Sequence, residues 1–177
     1  MFYNSPAGCI KVNISGGFIN EITFIKKGEE QTVPTGTLSA VDMNIFSKCA
    51  SQLDEYFSGE RKNFELPVRQ DGTDFQQKVW NELMQIPYGK TISYLQLAQR
   101  LGNAKAIRAA ASANGRNQVC IVVPCHRVIG SGGALRVMEE NCGEKNGYSN
   151  TRQNLPMECK GCFSGIYFYP AMRTYLN

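Results

Sequence analysis

The stretch Val-Val-Pro-Cys-His-Arg-Val-Ile-Gly, residues 122–130, wedges a cysteine between a proline and the only histidine of the chain. Thiolate is the nucleophilic form of cysteine, and a neighbouring imidazole or a helix N-terminus can bring its pKa from about 8.5 toward neutrality. Cys125 and His126 are therefore candidates for nucleophilic catalysis, with His126 the one imidazole available to take the thiol proton. Successive residues on a strand point to opposite faces, so that help needs a bridging water or a further acid. The plainer reading is a buried structural cysteine. Cys9, Cys49, Cys120, Cys142, Cys159 and Cys162 complete an odd set of seven without a framework spacing, which fits free thiols in a reducing compartment. Cys-Lys-Gly-Cys at 159–162 is the one metal-like pair, and a tetrahedral site there would have to borrow distant ligands, so no metal is expected.

Those residues need elements to hold them. The β-formers before Pro124 read as a buried strand that delivers Cys125 at its end, with the proline restricting the residue before it. Upstream, Ser93 is an N-cap and Gly102 a stop for a short helix, and a second helix follows over Ala-Lys-Ala-Ile-Arg-Ala-Ala-Ala-Ser-Ala-Asn-Gly, residues 104–115. Two short helices about a glycine turn outline a helix-turn-helix, although an ordinary helical hairpin reads the same way. Lys105, Arg108 and Arg116 lie on or just after the second helix, where a groove-binding helix would need cations, and its alanines allow close approach or tight packing. Phe75, Val79, Trp80, Leu83 and Ile86 share the face of an earlier helix.

The first seventy residues read differently. Alternation on both sides of Gly16-Gly17 predicts a two-stranded hairpin, the three-to-four spacing from Asp42 to Phe57 predicts an amphipathic helix ended by Gly59, and residues 63–68 read as a third strand. The polar run 69–74 carries a turn signal, which divides the chain into units over 1–70 and 74–135. Basic and acidic residues number 7 and 8 over residues 1–70, 7 and 3 over 71–135, and 5 and 4 over 136–177, so the middle third is the part suited to a polyanion. No segment approaches the ~20 apolar residues that span a bilayer, and the N-terminus lacks a leader pattern. A cytoplasmic protein with no membrane partner is expected; oligomerisation has no signal, which leaves a monomer.

Phe-Gln-Gln-Lys-Val-Trp at 75–80 running through Leu101-Gly102, then Asn-Gly-Arg-Asn-Gln at 114–118, then Ile-Val-Val-Pro-Cys-His-Arg-Val-Ile-Gly-Ser-Gly-Gly-Ala-Leu at 121–135, resemble in order and spacing the O6-alkylguanine-DNA alkyltransferase family. The resemblance implies an α/β protein: a ribonuclease H-like N-terminal domain of antiparallel strands plus helix, then a winged-helix-like C-terminal domain containing the helix-turn-helix. It implies DNA repair by a suicide enzyme without cofactor. A damaged guanine in double-stranded DNA is flipped out, and its O6-alkyl carbon is attacked by the thiolate of Cys125. O4-alkylthymine stays open as a second lesion. Carried over by position, Arg108 would fill the space of the flipped base from the minor groove, Tyr94 would press on the phosphate 3′ to the target, and Lys105 and Arg127 would contact DNA. Asn117 would brace the turn before the reactive segment and His126 would accept the thiol proton through a water. Two other classes remain: a non-catalytic sensor of alkylated DNA and a plain helix-turn-helix regulator. Residues 109–115 and Gln118 depart from the family's usual run without removing a reactive group.

The pattern stops after Leu135. The family continues with a tyrosine loop and a helix whose glutamate completes a cysteine–water–histidine–glutamate chain, whereas Met138 and Arg152 stand in those places here. One choice of codons for residues 136–152, read two bases later, encodes Gly-Tyr-Gly-Gly-Lys-Leu-Trp-Arg-Lys-Lys-Trp-Leu-Phe-Glu-His-Glu, which is family-like throughout. Residues 136–177 are thus expected to be a frameshifted tail lacking an apolar stripe, which would leave the enzyme inactive or weakened.

Overall fold

The computed structural model describes residues 1–25 and 39–130; residues 136–177, expected to be a frameshifted tail, with Met138, Arg152 and the 159–162 cysteine pair among them, lie outside the described residues. Gly16 and Gly17 take φ of 60° and 79°, a backbone that only glycine adopts at little cost, and there the chain reverses between β2 (Gly8–Ser15) and β3 (Phe18–Phe24). The expected hairpin is present. A strand the sequence did not announce, β1 (Phe2–Ser5), pairs antiparallel with the other edge of β2, giving the order β1-β2-β3. Ile10, Val12 and Ile14 face inward at period two, but the inward residues of β3, Ile19 and Ile22, are three apart. The register explains it: Ile14 pairs with Ile19 and Asn13 with Glu21, so Asn20 is the extra residue of a bulge that resets the alternation.

Over this sheet packs α1 (Ala40–Ser58), with Cys49, Leu53, Tyr56 and Phe57 on its inner side. The helix begins before Asp42 because Ser39 is the cap, its hydroxyl accepting from the Asp42 N–H at 3.1 Å. Gly59 ends it at φ 86°. The strand expected over 63–68 does not form. Gln52, buried on α1, accepts from the Glu65 N–H at 2.8 Å and donates to the Glu65 carbonyl at 3.2 Å, which removes those groups from any ladder. Only Val68 remains to bridge Ile19.

Thr73 and Gln76 form a capping box that starts α2 (Asp74–Met84), whose Trp80 indole donates to the Ala113 carbonyl at 2.9 Å. A second box, Ser93 with Gln96, starts α3 (Tyr94–Arg100). The single helix expected over 104–115 divides into a 3-10 turn, Ala104–Ala106, and α4 (Ile107–Gly115). Two short parallel strands, β4 (Ile92–Ser93) and β5 (Val128–Ile129), tie the start of α3 to the segment after the reactive cysteine. The result is a mixed α/β protein, an antiparallel sheet followed by a helical unit containing a helix-turn-helix. Among the described residues no helix is long and apolar enough to cross a membrane.

Candidate active site

The segment expected as a strand before Cys125 is instead a pair of tight turns. Val119 alone bridges a strand, pairing with Ile22. The Val122 N–H then donates to the Cys120 carbonyl at 2.8 Å around Ile121, whose φ is 72°: a γ-turn of the strained, positive-φ kind. Next, the Cys125 N–H donates to the Val123 carbonyl at 2.9 Å around Pro124, with φ −82° and ψ 64°, the relaxed inverse γ-turn that proline's fixed φ favours. Cys125–Arg127 follow as a 3-10 turn. A β-branched residue at positive φ costs on the order of 1–3 kcal/mol and persists only where the surroundings impose it.

The surroundings do impose it. Asn117, 9% exposed, donates to the Val123 carbonyl at 2.9 Å while its own oxygen accepts from the Val119 N–H at 3.1 Å. Asn114 on α4 donates to the Cys125 carbonyl at 3.4 Å, and the Cys120 N–H donates to Ile22 on β3 at 2.8 Å. The loop is held from the sheet on one side and from α4 on the other.

Cys125 is 8% exposed. A hydrogen bond from the Cys120 side chain is the strongest influence on its thiol and lowers the pKa; burial opposes it, and His126, by hydrogen bond and electrostatic attraction, and Asn117 add to the lowering. The balance holds the thiol pKa well below its ordinary value, which favours the nucleophilic thiolate. Cys49 provides the contrast: burial alone pushes its thiol up to about 12. Tyr94, first residue of α3, has its phenol pKa raised by burial and then by the neighbouring Cys125, opposed by a hydrogen bond with Asn114, so the neutral hydroxyl sits close to the sulfur.

The structure brings Cys125, His126, Asn117 and Tyr94 together. Lys105 and Arg108 are exposed on the 3-10 turn and the first turn of α4, and Arg116 is exposed just past its end. With Lys90 and Arg100 they form an exposed basic set in a stretch, residues 83–130, that holds no Asp or Glu. Asn117, expected as a brace of the turn, and Arg127, expected at the DNA, both turn inward. The polar atoms of Asn117 are engaged in the loop. Arg127, 9% exposed, donates to the Ile86 carbonyl and lies 5.7 Å from the centre of the Tyr88 ring, which makes it a strut of the reactive turn instead of a surface contact. Sequence reasoning missed Cys120 and Asn114. A strand would have put residues 120 and 125 on opposite faces, because their separation is odd. Among the described residues no cluster of His, Cys, Asp or Glu could hold a metal ion.

Two family models match the chain: "6-O-methylguanine DNA methyltransferase, ribonuclease-like domain" over residues 1–70 and "6-O-methylguanine DNA methyltransferase, DNA binding domain" over residues 74–158, the second running past Leu135. A methylated-DNA–protein-cysteine methyltransferase of Methanosarcina acetivorans is 40% identical over 133 residues, 75% of this chain and 84% of the relative. The constitutive one of Bacillus subtilis is 55% identical over 89 residues, 50% of this chain and 54% of the relative. Among solved structures, Mycobacterium tuberculosis OGT in complex with DNA superposes with a TM-score of 0.65 at 38% identity, covering 76% of this chain and 80% of that one.

Proposed function

The chain belongs to the 6-O-methylguanine DNA methyltransferase family, and from that premise we propose that it repairs DNA by transferring the alkyl group of O6-alkylguanine to Cys125. The observation that carries this reading is a buried cysteine, its thiol pKa lowered by the groups around it, on an over-determined turn in the same unit as an exposed basic helix-turn-helix. The sulfur attacks the alkyl carbon, the carbon–oxygen bond breaks, and its electron pair returns to the guanine, which takes up a proton. The thioether formed at Cys125 is stable, so each molecule acts once.

Each neighbour has a physical task. His126 receives the thiol proton and steadies the thiolate. Tyr94 stays neutral because its pKa is raised, so its hydroxyl can lie against a phosphate without charge repulsion. Arg108, exposed on α4, is the side chain placed to enter the space of an everted base, while Lys105 and Arg116 neutralise phosphates. Residues 1–70 serve as a brace and 74–135 as the reacting unit, and residues 136–177 are read as a frameshifted tail. Sequencing the locus tests that last point: an intact frame running through to its own stop codon elsewhere removes it.

Duplex DNA carrying labelled O6-methylguanine tests the function. Label recovered on Cys125 is the expected result. Lesion-selective binding without label would mark a sensor, and binding selective for base sequence would mark a regulator.

A further inference from the structure

Cys120 has no task in the alkyl-transfer reading beyond its contact with Cys125, and that contact is unusual. The two residues are five apart, yet the γ-turns at Ile121 and Pro124 and the Val123 N–H donating to the Val119 carbonyl at 3.0 Å fold the chain back and bring residues 120 and 125 side by side, close enough for Cys120 to act on the Cys125 thiol. Both are less than a tenth exposed. Their backbones are fixed independently: Cys120 by its N–H to Ile22, Cys125 by its N–H to Val123 and by Asn114 on its carbonyl. Two thiols brought together on a folded-back loop are placed to close to the ~2.05 Å of a disulfide.

We propose that Cys120 is a resolving thiol for Cys125, so that a hydroperoxide converts the pair into an intramolecular Cys120–Cys125 disulfide that a dithiol reopens. The step balances. The Cys125 thiolate attacks the peroxide oxygen, the O–O bond breaks, and, with one proton taken up, sulfenic acid and an alcohol or water form. Cys120 then attacks the sulfenic sulfur as its own proton passes to the departing hydroxyl. The S–O bond breaks, water leaves, and the two-electron oxidation rests in the S–S bond. The peroxide is the only oxidant required. The proposal rests on Cys125 being the reactive thiolate of the functional reading.

The consequence follows from single use. A nucleophilic cysteine is also open to oxidation, and without a resolving partner sulfenic acid proceeds to the irreversible sulfinic state. With Cys120 in contact, an oxidised molecule becomes a reversible reserve.

The test uses the full-length protein, exposed to a small excess of hydrogen peroxide without reductant, alkylated to trap free thiols and digested with trypsin. Cleavage after Arg116 and Arg127 places both cysteines on the peptide of residues 117–127. The expected result is that this peptide loses two hydrogens in mass and regains them with dithiothreitol, and that alkyl transfer falls about tenfold or more and recovers in parallel. A peptide that gains oxygen, keeps both thiols free, or links to a second chain overturns the proposal. Cys120→Ser and Cys120→Ala, checked for fold by circular dichroism, are expected to accumulate oxygen on Cys125 beyond rescue; recovery equal to the parent protein also overturns it. Because the mass readout needs no DNA, a disulfide that forms in a protein inert toward O6-alkylguanine would remove the repair reading and leave the pair intact.

Discussion

At the scale of single residues, two cysteines of this fold show that burial does not decide reactivity. Cys49 is wholly enclosed and its thiol is pushed up to about 12, while Cys125, at 8% exposed, is held well below its ordinary value. The difference is donors: Cys120, His126 and Asn117 surround the second sulfur and nothing comparable offsets burial at the first. Because the folded pKa is depressed, Cys125 contributes stability that is fully present above the unfolded thiol value of about 8.5 and is lost as pH falls through the folded value. The rate of alkyl transfer should follow the same ionisation, falling off at a pH below that of an ordinary thiol. His126→Gln should move that drop to higher pH and slow transfer at pH 7 by roughly 10- to 100-fold; an unchanged pH profile in single-turnover measurements would show that His126 does not act on the sulfur. Cys125 and His126 were legible because their residue types carry the chemistry in one short motif. Arg127 was less legible for the opposite reason: a guanidinium suits DNA and a buried carbonyl equally well, and its contacts here are with Ile86 and Tyr88.

Elements were legible where local signals are complete. The helices announce themselves by apolar spacing and by caps, and Ser93, Gly59 and the Gly16-Gly17 turn stand where side-chain chemistry requires. Composition failed where a distant group takes over the backbone: Gln52 claims Glu65, and Asn117 with Ile22 draws residues 117–123 into turns. Ser93 joins structure to function, since its hydroxyl caps α3 by accepting from the Gln96 N–H at 3.1 Å and the next residue is Tyr94. Ser93→Ala should cost about 1 kcal/mol in denaturant unfolding and slow alkyl transfer by displacing that tyrosine. A loss of stability with transfer unaffected would separate the cap from the placement of Tyr94. Gly72 makes a second test. A Cβ there would lie 2.6 Å from the Trp80 ring, and the same indole donates to Ala113 on α4. Gly72→Ala should therefore cost about 1–3 kcal/mol through overpacking and shift Trp80 fluorescence, whereas a neutral result would mean that the link before α2 moves freely.

For the whole molecule, the polar link at 69–74 suggested two units, and the hydrogen bonds show how they are joined. Ile22 on β3 donates to Gln118 and accepts from Cys120, both at 2.8 Å, and the Gln70 side chain accepts from the Gln118 N–H at 2.8 Å. The sheet therefore grips the reactive loop itself, and the positive-φ Ile121 lies just beyond that grip. The exposed cations are the groups open to a polyanion: Lys105→Ala should weaken duplex binding evenly across base sequences and reduce the steepness of its salt dependence by about one unit, and an unchanged slope would place the phosphates elsewhere. The clamp makes the stronger claim. Gln70→Ala removes the acceptor of the part-buried Gln118 N–H bond, which should cost about 1 kcal/mol. If the bridge makes one cooperative body of the two units, that loss appears equally in both. Trp80, the only tryptophan, reports the helical unit by fluorescence, and hydrogen exchange at Val12, whose N–H donates to the Met1 carbonyl, reports the sheet. Coincident transitions lowered by the same amount are expected; a sheet that keeps its protection while Trp80 unfolds early would show that the brace and the reacting unit are stable independently, and that the loop's strain is borne by α4 alone.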